Sequence, residues 1–447
     1  MTSLTDGIID IAMRPKSQVP DLALDFAKLS LLDWMACGIA GTSEPLAVKL
    51  RQLAAGEGGQ PIASTLGGMR VPPRMAALVN GATSHALDYD DTHFAHVGHL
   101  SVGIYPAALA IAEMQDASAE EMITAFLLGA EGAIRVGMTL GRAHYNHGFH
   151  QTATAGAFGA TLTVGRLLGL DRSQMHHALG LCATRASGLT SQFGSMGKPY
   201  NAGIAAANGV ECATLAGLGF TSADDGLMGH QGFIGAHLPG LGELIGPDIT
   251  FDSYKFSDNK YKLHACCHGL HAMIEALQTS EVTPGVSLDD ISAFSLSTNP
   301  RWLAVCDIKR PRTGLEVKFS YNWLAGMTLR GDDTGDDRLF TDSIACDSEL
   351  RRFAERINVE GDDELTDLQA RGEISFTDGR AITVWSDLAD PLAPEVLAEK
   401  LQRKSSTIIG KASAAIWGLY PSLGQLGARD IAKALLAAHT KGDTANN

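Results

Sequence analysis

Hydrophobic and polar positions follow two different periods along this chain, and the change of period divides it. Up to about position 280 apolar residues recur at helical spacing. Leu22, Leu24, Phe26, Leu29, Leu32, Trp34, Met35 and Ile39 surround a helix predicted over 21–39, apolar on several sides and therefore expected to be buried. Shorter helices are predicted over 44–55, from Pro72-Pro73 onward with an apolar run over 75–87, and over 104–114. A long one over 117–140 opens with Ser118 and Glu121 at the spacing of a capping box. Helices over 151–168, 171–186 (capped by Asp171) and 202–218 follow. Glycine recurs in these segments although it costs about 1 kcal/mol relative to alanine in a helix, which implies backbones packed close together.

Beyond 280 the texture changes. Ile291-Ser-Ala-Phe-Ser-Leu-Ser-Thr298 alternates with period two and predicts a strand, and 373–384 predicts a hairpin turning at Asp378-Gly379. Helices are predicted between them over 320–329 and 348–357. From Pro394 the helical period returns over 395–401, 412–419 and 431–439. The expected fold is mainly α: a large all-helical domain from 1–265 and 395–447, with a smaller α+β domain inserted over 266–394. A cleft between the two is the natural place for a ligand.

Composition narrows the partners. A net charge of −15 over 447 residues argues against nucleic acid, and an anionic ligand must be met by locally placed cations. The N-terminal residues show no basic region followed by an apolar run, and no stretch reaches the roughly 18 uninterrupted apolar residues of a membrane span. Seven cysteines without a regular framework fit a reducing cytoplasm.

Polar, titratable residues concentrate in a few places between apolar segments, where leaving them unpaired is costly. The densest is 80–103, with Asp88, Asp90, Asp91, Thr92, His93, His96 and His99; the plain alternative is a solvated loop capping the next helix. A second run, 142–152, carries His144, Tyr145, His147 and His150 directly before a helix, whose positive end favours neutral imidazole. In a third, Lys198 sits between Gly197 and Pro199, read as a rigid loop without an acidic partner nearby in sequence. A fourth, 260–271, holds Lys262, His264, Cys266, Cys267 and His268. Lys318-Phe319-Ser320 opens a helix and reads as core packing.

Histidines spaced by three (His93, His96 and His99; His144, His147 and His150) raise zinc as the alternative chemistry. Gly98 and Gly148 interrupt both runs, and Cys266-Cys267 lacks ribbon spacing, so no metal is expected. Neither a Walker sequence nor a strand-linked Gly-x-Gly-x-x-Gly is present.

In this order the motifs resemble the MmgE/PrpD family. They are Leu32-Asp33-Trp34-Met35-Ala36, Asn80-Gly81, Asp88-Tyr-Asp90-Asp91-Thr92, His99-Leu-Ser101, Gly148-Phe-His150-Gln-Thr152, Gly197-Lys198-Pro199, Lys262 to Cys266 and Lys318-Phe319-Ser320. The resemblance covers nearly the whole chain. It implies a helical domain, an α+β lid, a homodimer, a small polycarboxylate substrate and catalysis without an organic cofactor. It also places active-site residues at Asp88, Thr92, His99, His150, Lys198 and Lys262.

Two positions depart from the family's habit: Leu100 where proline is common, and His268 where arginine is common. A guanidinium clamps a carboxylate in bidentate fashion, so His268 points away from dehydration or decarboxylation of a tricarboxylate. Length and overall look bring the chain closest to iminodisuccinate epimerase. The expectation is thus a cofactor-independent epimerase, with a hydro-lyase or decarboxylase of a citrate-like acid as the alternative and a silent carboxylate-binding member as a third reading. Removing a proton next to a carboxylate builds up an enediolate, which needs cations and donors aimed at it. His99, Tyr145, His150 and Lys198 form the pool of acid/base groups, with Asp88, Thr92, Lys262 and His268 binding substrate.

Overall fold

The computed structural model describes residues 3–238, 253–282 and 285–443. The chain divides into two compact units, Met1–Tyr261 together with Pro394–Asn447, and Lys262–Ala393.

The first unit, expected to be all-helical, is built among the described residues from helices apart from one short antiparallel pairing of Ala63–Ser64 with Arg70–Val71. Asp21–Ala40, Pro73–Ser84, Ser101–Gln115, Ala119–Asn146, Gln151–Leu167, Arg172–Arg185 and Gly197–Gly217 pack on one another, and Pro394–Ile409 lies against Asp21–Ala40. The capping box of Ser118 with Glu121 forms as the sequence implies, and Asp171 caps its helix as expected, with Gln174 completing a second box that was not expected. Close approach explains the glycines. A Cβ on Gly81 would stand 2.8 Å from the Gly203 Cα, so the Pro73–Ser84 and Gly197–Gly217 helices meet backbone to backbone.

Ala119–Asn146 is long and apolar enough to cross a membrane, but 89% of its most apolar stretch is buried among its neighbours, as in a core helix. Gly141 breaks it at φ 59°, so the regular helix ends near Leu140, and a further turn carries His144 and Tyr145.

Helix boundaries differ from expectation at two places that shape the polar cluster, and the helix expected over 395–401 runs on to Ile409. The run over 75–87 stops at Ser84, leaving His85 to Leu100 as a buried loop. The Lys198 segment is not a loop: the helix expected from 202 starts at Gly197. The Ser195 carbonyl accepts from the Lys198 N–H, and Pro199 falls in the first turn, where no N–H is needed. That shift places Lys198 and Asn201 one turn apart near the helix start.

The second unit contains a four-stranded sheet. Ile291–Thr298 pairs parallel with Ile357–Gly361 and antiparallel with Gln369–Phe376, which pairs antiparallel with Ala381–Asp387. The hairpin turns at Asp378-Gly379, with Gly379 at φ 90°. The helix expected over 348–357 ends at Ala354, because the Arg356 carbonyl accepts from Phe294 and the chain joins the sheet. His271–Thr279 is a helix that the periodicity did not mark.

Candidate functional site

The loop from His85 to Leu100 is fastened along its length. Thr92 and Lys260 exchange both backbone hydrogen bonds, at 2.7 and 2.8 Å. Asp91 accepts from the Ser101 N–H (3.1 Å) and hydroxyl (2.5 Å) and from Asn259 Nδ2 (2.7 Å). A carboxylate at the start of the Ser101–Gln115 helix is where the helix dipole favours it. Burial nevertheless pushes the Asp91 carboxyl up, against these donors. The His99 N–H donates to Thr152 Oγ1 at 3.0 Å, tying the loop to the Gln151–Leu167 helix.

Within this frame the polar residues converge. Asp90, fully buried, lies between two imidazoles: His85 Nδ1 donates to Oδ1 at 2.7 Å, and His99 Nδ1 lies 2.7 Å from Oδ2. Burial alone would raise the Asp90 carboxyl. The charges and hydrogen bonds of His85 and His99 more than reverse this and hold it well below the carboxylate range. Burial lowers His85 against the opposing pull of the Asp90 charge.

Asp88, at φ 51°, faces the other way, with Oδ1 3.5 Å from His99 Nε2 and Oδ2 2.6 Å from Lys198 Nζ. His99 therefore stands between two carboxylates, and Asp88 between an imidazole and an ammonium. Lys198, expected to lack an acidic partner, has one supplied from 110 positions away, by the loop rather than by its own segment.

His150 is the N-cap of Gln151–Leu167, and its ring lies 6.3 Å from that of His85. Asn201 Nδ2 donates to His150 Nδ1 at 3.1 Å and to the Leu189 carbonyl at 3.3 Å, which leaves the imidazole proton on Nε2. Burial, then the charges of His85 and Lys198, keep His150 neutral, well below the usual imidazole range. Phe193 closes this side, its ring 5.0 Å from His150 and 5.2 Å from Lys198 Nζ.

The structure thus brings together Asp88, His99, His150 and Lys198. Tyr145 stands further out, 6.4 Å from Phe193. The Thr92 hydroxyl is buried without a hydrogen-bond partner among the described residues. Lys262 and His268 are buried in the second unit. His85, Asp90 and Asn201 were not singled out as site residues by the sequence. Asp90 stood in the marked motif and His85 inside the marked 80–103 run; Asn201 carried no signal beyond lying near Lys198.

The histidine rows do not gather as ligands. His93 Nε2 donates to the Lys255 carbonyl (2.9 Å), His96 Nδ1 to the Ala133 carbonyl (3.1 Å), and His144 Nε2 lies 3.0 Å from Thr154 Oγ1. His85, Asp88, Asp90 and His99 do present ligand atoms within 4.8 Å of one another, the one such group among the described residues. A divalent cation there must displace the Lys198 ammonium from Asp88 and break the His85–Asp90 hydrogen bond.

Residues 11–242 match the MmgE/PrpD N-terminal domain and residues 264–417 the MmgE/PrpD C-terminal domain. Among curated proteins, a cis-aconitate decarboxylase of Aspergillus terreus is 30% identical over 276 residues, 58% of this chain and 56% of the relative. The human cis-aconitate decarboxylase is 28% identical over 245 residues, 52% of this chain and 50% of the relative. That of Mus musculus is 24% identical over 438 residues, 91% and 84% of the two chains. The chain thus spans about half the length of the first two of these relatives. By their names these relatives are lyases, which favours the lyase alternative over the epimerase expected from length and from His268. Matched along both of its domains, and carrying its polar motifs on one buried loop and the helices around it, the chain belongs to the MmgE/PrpD family.

Proposed function

We propose that this protein is a carboxy-lyase acting on an unsaturated tricarboxylate of the cis-aconitate class. The observation that carries the proposal is His99, oriented by Asp90 and set across Asp88 from the Lys198 ammonium. The decarboxylase relatives support the same substrate class.

Loss of carbon dioxide from such an acid breaks a C–C bond. The electron pair left behind forms a new double bond, displacing the old one onto a remaining carboxylate as an enediolate. Carbon is then protonated. Lys198 is the cation for that developing charge, and the neutral His150 offers its Nε2–H as a donor. A substrate carboxylate has to compete with Asp88 for Lys198, so binding loosens Asp88 just as the charge is needed. His99, held by Asp90, carries the proton to carbon. Closure of the α+β unit as a lid belongs to the same proposal, as do the substrate-binding roles of Thr92, Lys262 and His268.

The test is incubation with cis-aconitate, 2-methylcitrate or iminodisuccinate in heavy water, followed by NMR. Carbon dioxide release from cis-aconitate with one deuterium in the product is expected. Loss of water from 2-methylcitrate, or α-proton exchange in iminodisuccinate, with cis-aconitate untouched, would replace this reading.

A further inference from the structure

A buried cation from the end of the chain grips the middle of the site loop. Lys404 lies on the Pro394–Ile409 helix with a fully buried side chain. Its Nζ donates to the Tyr89 carbonyl at 2.6 Å, across 315 positions of sequence, and forms an ion pair with Asp33 Oδ1 at 2.6 Å. The ammonium also sits 4.5 Å from the centre of the Tyr89 ring, and Cys37 Sγ donates to the same carbonyl at 3.5 Å.

Attachment of the helix does not require this arrangement. Leu397 and Leu401 of the same helix are buried, and a buried ion pair holds helices together no better than apolar residues of equal volume. What the ammonium does, and apolar residues cannot, is hold one peptide group. The Tyr89 carbonyl belongs to the peptide joining Tyr89 to Asp90, one residue beyond Asp88 at its left-handed φ. An uncompensated change of ψ at Tyr89 or of φ at Asp90 re-aims Asp90 relative to Asp88, and with it the contacts of Asp90 to His85 and His99 and of Asp88 to Lys198.

We propose that Lys404, anchored by Asp33, is a positioning residue that fixes the Tyr89–Asp90 peptide and thereby the two carboxylates of the site. Its bearing on catalysis rests on the carboxy-lyase reading; its bearing on geometry does not.

Two variants separate positioning from stability. In Lys404→Met the acid left behind is tolerable, since burial already raises the Asp33 carboxyl to about 6 against the Lys404 charge. Asp33→Leu/Lys404→Met removes both charges and leaves an apolar contact. For each folded variant, proton NMR of the ligand-free protein follows the hydrogen-bonded N–H that His85 shares with Asp90, and steady-state kinetics use cis-aconitate. A thermal midpoint near the parent's, a shifted or lost His85 signal, and a kcat lower by on the order of 100-fold with a smaller change in KM are expected. A His85 signal at its parental position in a folded variant overturns the proposal, as does an unchanged kcat. If the parent protein does not turn over cis-aconitate, the function proposed above fails while the NMR comparison still decides this one.

Discussion

Acid should loosen the site loop through its histidines, because His93 and His96 are folded into the protein as neutral rings. His93 is fully satisfied only without a charge: Nε2 donates to the Lys255 carbonyl, and Nδ1 accepts from the His96 N–H at 3.1 Å. A second proton must go on Nδ1 and break that bond. His96 donates from Nδ1 to Ala133, and its Nε2 is buried with no acceptor among the described residues. Burial lowers His93 to about 4 and His96 to about 3. The unfolded chain titrates both near ~6.5. Below that value it binds protons the native state refuses, so stability is full above the unfolded value and falls as the pH drops towards 4 and 3. At pH 5 the loss is on the order of 2 kcal/mol for each ring, against a typical total of ~5–15 kcal/mol. Urea unfolding followed by far-UV circular dichroism at pH 7, 6 and 5 should show the midpoint falling. In His93→Gln/His96→Gln the slope between pH 6 and 5 should be shallower by about 2 kcal/mol per pH unit. A midpoint indifferent to pH in the parent, or a variant with the parental slope, refutes the reasoning.

Asp90→Asn keeps the shape but can accept only one of the two imidazole contacts; kcat should fall by about 100-fold or more with helix content unchanged, measured by steady-state kinetics and circular dichroism. Lys198→Met removes the cation paired with Asp88 and should lower kcat/KM by on the order of 100- to 1000-fold, and a change within about threefold excludes Lys198 from catalysis. Asn201→Asp replaces the donor facing His150 Nδ1 by an acceptor, so nitrogen NMR should find the ring proton moved off Nε2, with turnover reduced by about tenfold or more. Gly137→Ala sets a Cβ 2.4 Å from His96 Nδ1 and should lower the thermal midpoint by the equivalent of about 1–3 kcal/mol; an unchanged midpoint contradicts that close approach.

The helices were legible because their signals are local. A capping serine and a glutamate three residues on, or an aspartate before an apolar run, act within one turn, and Ser118 and Asp171 cap where the spacing implies. The strand Ile291–Thr298 was legible for the same reason, its inward residues falling mostly on alternate positions. Ile357–Gly361 was not. It is an edge strand with a single buried residue, Val359, and its pairing with Ile291–Thr298 is a long-range event no local pattern records. The early start of Gly197–Gly217 was hidden by Gly197 and Pro199, which read as loop punctuation but stand in a first turn that tolerates both.

Legibility of the site follows the same division between near and far. Asp88, His99, His150 and Lys198 each sit in a stretch whose composition is unusual beside its apolar flanks, so each was visible alone. Their partners were not, because a partner is defined by folding. Lys198 looked free of acids since Asp88 lies 110 positions away, and His150 acquires its tautomer from Asn201, an ordinary residue of a small-residue helix. The histidine rows, which raised zinc only as an alternative, separate for the converse reason. Spacing by three means one face only on a continuous helix, and in a loop it sends His93 and His96 to the Lys255 and Ala133 carbonyls while only His99 reaches Asp90. Asp33 and Lys404 are the extreme case. Asp33 reads as a polar interruption in a helical pattern and Lys404 falls past the helix expected over 395–401; the grip of Lys404, paired with Asp33, on the Tyr89 carbonyl exists only because the chain returns from its second unit to lay Pro394–Ile409 on Asp21–Ala40.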